Sequence, residues 1–345
     1  MNLACLLEKK EIRASVPCRV DLGGTLDIST FYLPLAHLKP ASFNIALDMR
    51  THVTLSPWTK GRIRISSKGF ASAEFDRDKV RFDHPMGLMF AVARYFNADG
   101  IHIQIRSTSP PKSALGGSSS AAVAIIAAFY ALFGEPVNPK KSVWLAHYIE
   151  SSVAGVPCGV QDHAAAAFGG VNLWEWQMGE TGPEFEQIPV FEKTQDLVDF
   201  NDHILVAYCG IPHVSKDINK QWVEAFIRGE TTAIFEKIVE ITKEFYRAVK
   251  TKNLSLAGEL MAQETRLRLE MTPKVLDNTG KKLFERAVAL NCGARFTGAG
   301  GGGCLWAVGE RDKILELALA WKKLLEPVPD AGLLDTGIDT NGILI

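Results

Sequence analysis

The first half of the chain opens with short segments in which apolar and polar residues alternate. The alternation runs through residues 11–22 (EIRASVPCRVDL), 43–58, 62–67 and 100–110. Because successive side chains of a strand point to opposite faces of a sheet, this period of two predicts half-buried β-strands. Residues 86–96 (MGLMFAVARYF) instead repeat apolar positions at helical spacing, which predicts one helix among the strands.

Alanine-rich stretches follow, and we predict helices over 118–133, 140–155 and 160–170. The second of these ends at Gly155, with Pro157 close behind, and glycine followed by proline is a typical end of a helix. The longest apolar stretch lies within the first, at AAVAIIAAFYALF. That length suits a buried core helix and is too short to span a membrane.

Helical spacing dominates the second half of the chain. Residues 175–196 are polar and contain Gly179, Gly182 and Pro183, which is consistent with a meander at a domain border. After it we predict a strand at 202–210, helices at 214–228, 231–250, 254–268 and 278–291, a strand at 304–309 and a helix near 311–325. The pattern indicates an α+β protein of two domains, which we divide into residues 1–190 and 191–345.

Composition and charge exclude several classes of protein. The chain has 345 residues, 47% of them apolar and 22% charged, with a formal net charge of -1. A near-neutral balance gives no electrostatic reason to expect nucleic acid or a membrane surface as partner. The six cysteines are scattered without a C-x-x-C pair, so we expect reduced thiols and a cytoplasmic protein. The eight histidines show no zinc-binding spacing.

A run of glycines stands in FTGAGGGGCLWAVG, residues 296–309. Gly298, Gly300 and Gly303 satisfy the dinucleotide pattern G-x-G-x-x-G. That fingerprint requires a strand before it and a helix after it, whereas here a predicted helix precedes and a predicted strand follows. One or two glycines would suffice for a tight turn, so we expect a loop whose backbone approaches a ligand closely.

A second loop, STSPPKSALGGSSSAAVAIIAA at 107–128, leads into the first alanine-rich helix. Small residues at a helix start expose backbone N–H groups, and the helix dipole favours negative charge there, so the loop suits a polyphosphate. The alternative is a simple serine N-cap. A single serine would be enough for a cap, and this chain has three behind two glycines.

Three segments together resemble the motifs of the GHMP kinases, the family of galactokinase and of homoserine, mevalonate and phosphomevalonate kinases. PPKSALGGSSSAA resembles their second motif, FTGAGGGGCL their third, and ASVPCRVDLGGTLDIST (14–30) their first, most like the sugar kinase branch. The resemblance spans nearly the whole chain in family order. It implies the two-domain GHMP kinase fold, with an N-terminal ATP-binding domain like domain 2 of ribosomal protein S5 and a ferredoxin-like C-terminal domain.

The resemblance also implies ATP and Mg²⁺. The phosphates of ATP are expected over the second motif, at Pro111, Lys112, Ser113, Ala114, Leu115, Gly116, Gly117, Ser118, Ser119 and Ser120. Ala114 replaces the first glycine of the motif. Aligned without gaps, Ser118 takes the place of the family's magnesium-binding serine, and a one-residue slip would make it Ser119. Glu150 matches the glutamate that binds magnesium in mevalonate and homoserine kinases.

For the chemistry, QDHAAAAFGG resembles a segment of heptose and fucose kinases whose aspartate faces the acceptor hydroxyl, which makes Asp162 the expected catalytic carboxylate. Arg19 matches an arginine that lies beside the catalytic aspartate in galactokinases. It would keep that carboxylate ionised and help offset charge on the transferred group. Phosphoryl transfer depends on such positioning and charge neutralisation more than on covalent chemistry.

For the acceptor, Asp27 matches the galactokinase aspartate that binds sugar hydroxyls, with Gly24 beside it. Gly300, Gly301 and Gly302 are expected to close the site. Galactokinases have a Glu-His pair that this chain lacks, so the identity of the sugar is left open. The segment 210–222, with His213 and Asp217, either lines the sugar pocket or is a solvated helix start, and His163 is a similarly weak candidate.

The resemblance and these residues predict an ATP-dependent kinase of a small-molecule hydroxyl. We expect a sugar as acceptor, such as galactose, fucose or a heptose phosphate. The alternatives are an alcohol kinase of the mevalonate or homoserine type and a non-catalytic relative that binds ATP and sugar.

Overall fold

A computed structural model describes residues 6–7, 11–155, 157–212 and 216–345 of the protein. Within them, the first sheet has seven strands: β1 (Ile12–Leu22), β2 (Ala41–Pro57), β3 (Arg62–Ser67), β4 (Ala73–Asp76), β5 (Ile101–Ser107), β6 (Val171–Gly179) and β7 (Gly182–Pro189). The helices of this half are α1 (Ser29–Tyr32), a 3₁₀ turn (Ala36–Leu38), α2 (Gly87–Tyr95), α3 (Gly117–Phe133), α4 (Pro139–Ala154) and α5 (Gln161–Phe168).

The long strand β2 organises the first sheet. One edge of β2 pairs with β1 along almost its whole length, interrupted by a bulge at Pro17/Cys18. The other edge pairs with β6 through residues 41–45 and with β5 through residues 51–57. All these pairs are antiparallel, whereas β3 runs parallel to β5. The extra residues of this bulge are Asp48 and Met49 on β2, opposite the step from Pro17 to Cys18 that directly precedes Arg19.

Helix α3 forms the centre of this half. Its residues from Ala121 to Ala128 are almost completely buried, and the helix packs on β1, β2, α4 and α5. A helix that is apolar all round belongs in a core, as the alanine-rich pattern predicted. Alanine keeps the helix narrow, so the flanking strands and helices approach closely and bring their ends to one cavity.

A smaller sheet organises the second half, in the order β11-β8-β10-β9 with every pair antiparallel. Its strands are β8 (Ile204–Tyr208), β9 (Gly293–Phe296), β10 (Cys304–Val308) and β11 (Gly332–Leu333). The helices of this half are α6 (Thr194–Asn201), α7 (Lys216–Ile227), α8 (Thr232–Lys250), α9 (Leu254–Met271), α10 (Asn278–Ala289) and α11 (Arg311–Leu325).

The two halves interpenetrate at two places. The segment after β1 packs Leu26, Ile28 and Phe31 into the apolar core of the second half, where Phe31 stacks on Phe235 with ring centroids 4.2 Å apart. The last residues return to the first sheet, because Ser15 and Leu344 exchange main-chain hydrogen bonds of 2.8 and 2.9 Å. The division of the chain at residue 190 stays a prediction.

The predicted α+β fold is confirmed, and short elements such as β4, α6 and β11 are present that the sequence pattern did not predict. The polar stretch 175–196 contains most of a hairpin, β6–β7, instead of an open meander. The glycine run does not follow helix α10 directly, because β9 intervenes and the run joins two antiparallel strands. All four residues of β9 are buried, so the segment carries no alternation from which a strand could be predicted.

Candidate active site

A cavity of about 430 Å³ lies where β1, the start of α3, the end of α4 and the start of α5 meet. Among the predicted site residues, those that line it are Arg19, Asp27, Pro111, Lys112, Ser113, Ala114, Gly116, Gly117, Ser118, Ser119, Glu150 and Asp162. Leu115 and Ser120 lie buried behind this wall, and the Ser120 hydroxyl donates to the Pro17 carbonyl at 3.2 Å. The fold therefore gathers residues that are more than 140 positions apart in the sequence.

Residues 108–116, the loop predicted to hold phosphates and called the phosphate loop below, end at the first turn of α3. Gly116 has φ of 77° in the left-handed region, and a β-carbon there would lie 3.3 Å from the Asp162 carboxylate. No side chain caps the helix start, since the serines lie inside the first turns. The serine-cap alternative is therefore wrong, and the unpaired N–H groups that begin every helix are available at the cavity. A β-carbon on Gly117 would meet only open space.

Arg19 and Asp162 form an ion pair at the centre of the cavity. Nε and Nη2 of Arg19 lie 2.8 and 2.7 Å from Oδ1 of Asp162, while Nη1 donates to the Ala114 carbonyl at 2.7 Å. Burial alone would lower the pKa of Arg19, but the carboxylates of Asp162 and Asp21 outweigh it and raise that pKa. The guanidinium is 3% exposed and stays charged, so it ties the phosphate loop to Asp162.

Glu150, in the last turn of α4, faces the start of α3. Its Oε2 accepts a 2.9 Å hydrogen bond from the Ser119 hydroxyl and lies 2.7 Å from Nε2 of His163. Burial raises the pKa of Glu150, but His163 and Ser119 outweigh it, so the net pKa lies below the ordinary value. Ser119 is buried beside Glu150, whereas Ser118 is exposed at the cavity mouth. Of the two alternatives from the sequence, Ser119 is the serine paired with Glu150.

Asp27 is 2% exposed and lines the cavity. Its Oδ2 accepts a 2.9 Å hydrogen bond from the main-chain N–H of Gln161, and its Oδ1 has no hydrogen-bond partner among the described residues. Burial, reinforced by the charge of Asp162, raises the pKa of Asp27 to about 6. A β-carbon on Gly159 would collide with this carboxylate, so the glycine leaves room for it.

Most of the glycine run packs against neighbouring residues and not along the cavity wall. Gly300 lies against Val275, Gly301 donates to the Val275 carbonyl at 2.8 Å, and Gly302 lies against Pro212. Among the described residues, Gly298 and Ala299 are the members of the run that line the cavity. Contact of Gly300, Gly301 and Gly302 with a substrate stays a prediction.

Both ends of the glycine run are tied to the first half of the chain. The N–H of Gly298 donates to Oδ1 of Asp21 at 2.7 Å. The N–H of Cys304, just after the run, donates to the Ser113 carbonyl at 2.9 Å. Glycine is required at 303, because a β-carbon there would lie 2.7 Å from the Ser113 carbonyl oxygen. The run thus supports the phosphate loop from the other half of the molecule.

The remaining candidates divide between inside and outside the site. Gly24 lies behind the cavity, where its carbonyl accepts a 2.6 Å hydrogen bond from Arg268. His213 and the side chain of Asp217 lie outside the described residues, while Asn219 of the same segment lines the cavity. Sequence reasoning missed Thr25, which also lines the cavity. It also missed the buried Asp21, although Asp21 stands only two residues after the predicted site residue Arg19.

Magnesium fits the donor set of this cavity only as an ion shared with phosphate. Within the described part of the chain, no group of three or more His, Cys, Asp or Glu side chains is placed to hold a metal ion. Ser119 and Glu150 supply two oxygen donors beside the start of α3, and Mg²⁺ bound with a nucleotide commonly takes one or two protein ligands plus phosphate oxygens.

Across the described helices, none is both long and apolar enough to cross a membrane.

Comparisons with known proteins address the same parts of the chain. The model of the GHMP kinases N terminal domain matches residues 84–170, and the GHMP kinases C terminal model matches residues 245–326. A mevalonate kinase of Thermococcus sibiricus is 29% identical over 339 residues, which cover 90% of this chain and 92% of the relative. A D-glycero-alpha-D-manno-heptose 7-phosphate kinase of Campylobacter jejuni is 22% identical, over 95% of this chain and 98% of the relative.

Among solved structures, Lactococcus lactis galactokinase complexed with galactose superposes with a TM-score of 0.73 at 19% identity, covering 99% of both chains. This likeness extends the shared fold over the full length of the chain. The predicted two-domain fold and family resemblance are confirmed. The two family models, matched in order on one chain, show that the protein belongs to the GHMP kinase family and is an ATP-dependent kinase of alcohol groups.

Proposed function

We propose that the protein transfers the γ-phosphoryl group of ATP to a hydroxyl of a sugar. The observation that carries the proposal is the buried Asp27 carboxylate, which lines the cavity and whose Oδ1 lacks a hydrogen-bond partner among the described residues. A buried acceptor without a donor is costly, and a ligand hydroxyl supplies the missing donor. A sugar offers several such hydroxyls around one ring.

Nucleotide binding is assigned to the start of α3. The unpaired N–H groups there, together with the helix dipole, suit the phosphates of ATP. Gly117 leaves its backbone open for close approach. Ser119 and Glu150 would hold the magnesium ion, which when bound offsets charge on the β- and γ-phosphates.

Asp162 and Arg19 are assigned to the chemistry. Both described contacts of the Asp162 carboxylate with Arg19 fall on Oδ1, so Oδ2 can accept a hydrogen bond from the acceptor hydroxyl. That contact orients the hydroxyl and receives its proton as the new O–P bond forms and the β–γ bridging bond breaks. Arg19 keeps Asp162 ionised and places positive charge beside the transferred group.

A mevalonate-type acceptor is the second candidate, and the 29% identity with a mevalonate kinase favours it. Mevalonate carries a carboxylate, which an ionised Asp27 would repel if the two groups met in the cavity. A mevalonate kinase would therefore have to direct that carboxylate away from Asp27. A non-catalytic ATP-binding and sugar-binding relative is the third candidate, and the complete set Arg19, Ser119, Glu150 and Asp162 counts against it.

An acceptor screen with coupled detection of ADP separates the three. We expect turnover with a sugar or sugar phosphate among galactose, fucose and heptose phosphates. Turnover confined to mevalonate or homoserine would replace the proposal by the second candidate. Nucleotide binding without turnover on any acceptor would support the third.

A further inference from the structure

A chain of buried charges runs behind the cavity, from the second half of the molecule to the first. Its members, each less than 1% exposed, are Asp21, Glu264, Arg268 and Arg295. Glu264 lies at the centre, where its Oε1 accepts from Nε of Arg268 and its Oε2 from Nε of Arg295, both at 2.9 Å. None of these four side chains lines the cavity, so they touch neither bound substrate nor solvent.

At one end of this series of buried charges, Arg268 holds the segment that carries Asp27. Nη1 of Arg268 donates to the Thr25 hydroxyl at 3.1 Å, and Nη2 donates to the Gly24 carbonyl at 2.6 Å. Thr25 adopts a φ of 76°, in the left-handed region that costs a β-branched residue free energy. Such a conformation persists only where its surroundings impose it, and the fork of the Arg268 guanidinium supplies that constraint.

At the other end of the series, Arg295 and Asp21 contact the glycine run and Arg19. Nη1 of Arg295 donates to Oδ2 of Asp21 at 2.8 Å. The remaining oxygen of Asp21 accepts from the Gly298 N–H at 2.7 Å and lies 3.5 Å from Nη1 of Arg19. The same set of charges therefore contacts the acceptor segment, the glycine run and the arginine that holds Asp162.

Stability alone does not account for this arrangement. Buried ion pairs lose much of their Coulombic gain to desolvation, and well-packed apolar residues in their place are often as stable or more stable. Apolar side chains could not direct the Thr25 hydroxyl and the Gly24 carbonyl. Directional control of the segment that ends at Asp27 is what the guanidinium of Arg268 adds.

We infer that Arg268 is a positioning residue for the acceptor: through Thr25 and Gly24 it fixes where the Asp27 carboxylate stands in the cavity. The inference rests on the proposed function, since it takes Asp27 as the acceptor-binding group. Arg268 itself lies outside the cavity, and its direct hydrogen bonds toward the site are those to Thr25 and Gly24 in the 23–27 segment.

The test is Arg268→Lys. Lysine keeps a positive charge near Glu264, but a single ammonium cannot reproduce the planar fork that reaches Thr25 and Gly24 together. We expect the KM for the acceptor to rise about tenfold or more, as for loss of a charged hydrogen bond, with the KM for ATP nearly unchanged. An unchanged acceptor KM in a folded variant would overturn the inference.

Thr25 supplies a second arm. Thr25→Val removes the hydroxyl that Arg268 contacts and keeps the branched shape, whereas Thr25→Ser keeps the hydroxyl. We expect the valine variant to resemble Arg268→Lys and the serine variant to resemble the wild type. Arg268→Lys and Thr25→Val both break the hydrogen bond between Arg268 and the Thr25 hydroxyl. The KM of the double variant for the acceptor should therefore be little higher than that of either single variant, whereas additive effects would contradict action through Thr25.

A matched control separates positioning from general loss of stability. Arg50 also binds several groups, among them the carboxylate of Asp339 and the Gly342 carbonyl, but these lie in the C-terminal segment, and Arg50 does not line the cavity. Arg50→Lys should lower the melting temperature without a selective rise in acceptor KM. The same selective rise in this control would assign the Arg268 effect to destabilisation.

Amide hydrogen exchange gives a readout that needs no turnover. We expect faster exchange at 23–28 in Arg268→Lys, with 113–120 unchanged, even if the wild type phosphorylates no acceptor in the screen. Failure of the proposed function would then appear in the wild type, and failure of this inference would appear as unchanged exchange in the variant.

Discussion

Asp162 contacts Arg19 through a single carboxylate oxygen, Oδ1, which lies 2.8 Å from Nε and 2.7 Å from Nη2 of the guanidinium. The arginine lies on a strand of the first sheet, and the aspartate lies in the first turn of α5. Because both guanidinium contacts fall on Oδ1, Oδ2 makes no contact with Arg19 and can accept a hydrogen bond from another group. This geometry makes Asp162 the residue whose loss should affect turnover most.

The first prediction concerns Asp162→Asn. The amide keeps the size of the carboxylate and loses its charge and basicity, so ATP affinity should stay within a few-fold while turnover falls on the order of 100-fold or more. Steady-state kinetics with nucleotide titration measure both quantities. A kcat near that of the wild type would contradict the role assigned to Asp162.

The second prediction separates Ser119 from Ser118. Ser119→Ala removes the hydroxyl that contacts Glu150, so the Mg²⁺ concentration for half-maximal activity should rise about tenfold. Ser118→Ala is the control, because Ser118 is exposed at the same helix start. A larger magnesium effect in the Ser118 variant would reverse the assignment.

The third prediction uses the open space around Gly117. A β-carbon there meets nothing within the protein, and alanine has the higher helix propensity, so Gly117→Ala should fold with an unchanged or raised melting temperature. If phosphates approach this backbone, the added methyl group should raise the KM for ATP several-fold without affecting the acceptor. Unchanged nucleotide affinity would place the phosphates elsewhere.

The fourth prediction follows from the raised pKa of Asp27, about 6 compared with an ordinary 3.8. The ionised carboxylate is the better acceptor for ligand hydroxyls, so acceptor KM should rise as the pH falls through about 6 while the KM for ATP changes less. The profile is measured from about pH 5 to about pH 8, a range that brackets this pKa. In Asp27→Asn the inflection in acceptor KM should disappear.

The same shift has the opposite sign for stability. A carboxyl whose folded pKa lies above its unfolded value stabilises the fold at low pH, and this contribution is lost as the pH rises through about 6. Asp27→Asn should therefore raise the melting temperature at neutral pH, by an amount equivalent to about 3 kcal/mol at most, while it weakens acceptor binding. A destabilised variant at neutral pH would show that the ionised carboxylate is not strained by burial.

Sequence reasoning reached those parts of the site that are encoded locally. The small residues 116–120 stand at the start of an apolar helix and predict a phosphate loop, because small side chains there expose the backbone N–H groups of the helix start. The choice between Ser118 and Ser119 depends on which side of α3 faces Glu150, and the helix begins at Gly117, one residue earlier than predicted. The family resemblance could not determine which of the two serines lies on the side of α3 that faces Glu150.

The charge chain behind the cavity was beyond sequence reasoning for another reason. Glu264 and Arg268 are spaced i,i+4 on a helix, which in a sequence is the usual pattern of an exposed ion pair. Their burial depends on β9, a strand too short to carry alternation, and on the 21–25 segment more than 200 residues away. Contacts at that distance arise only from the tertiary fold.

The bonds of the glycine run also determine how the enzyme can move. Gly298 is bonded to Asp21 on one side of the run and Cys304 to Ser113 on the other, so main-chain groups join the two halves across the cleft. Hinge opening at this edge would have to break both bonds. Substrates should therefore enter a cleft that is already assembled, and ligand binding should leave the radius of gyration in solution unchanged.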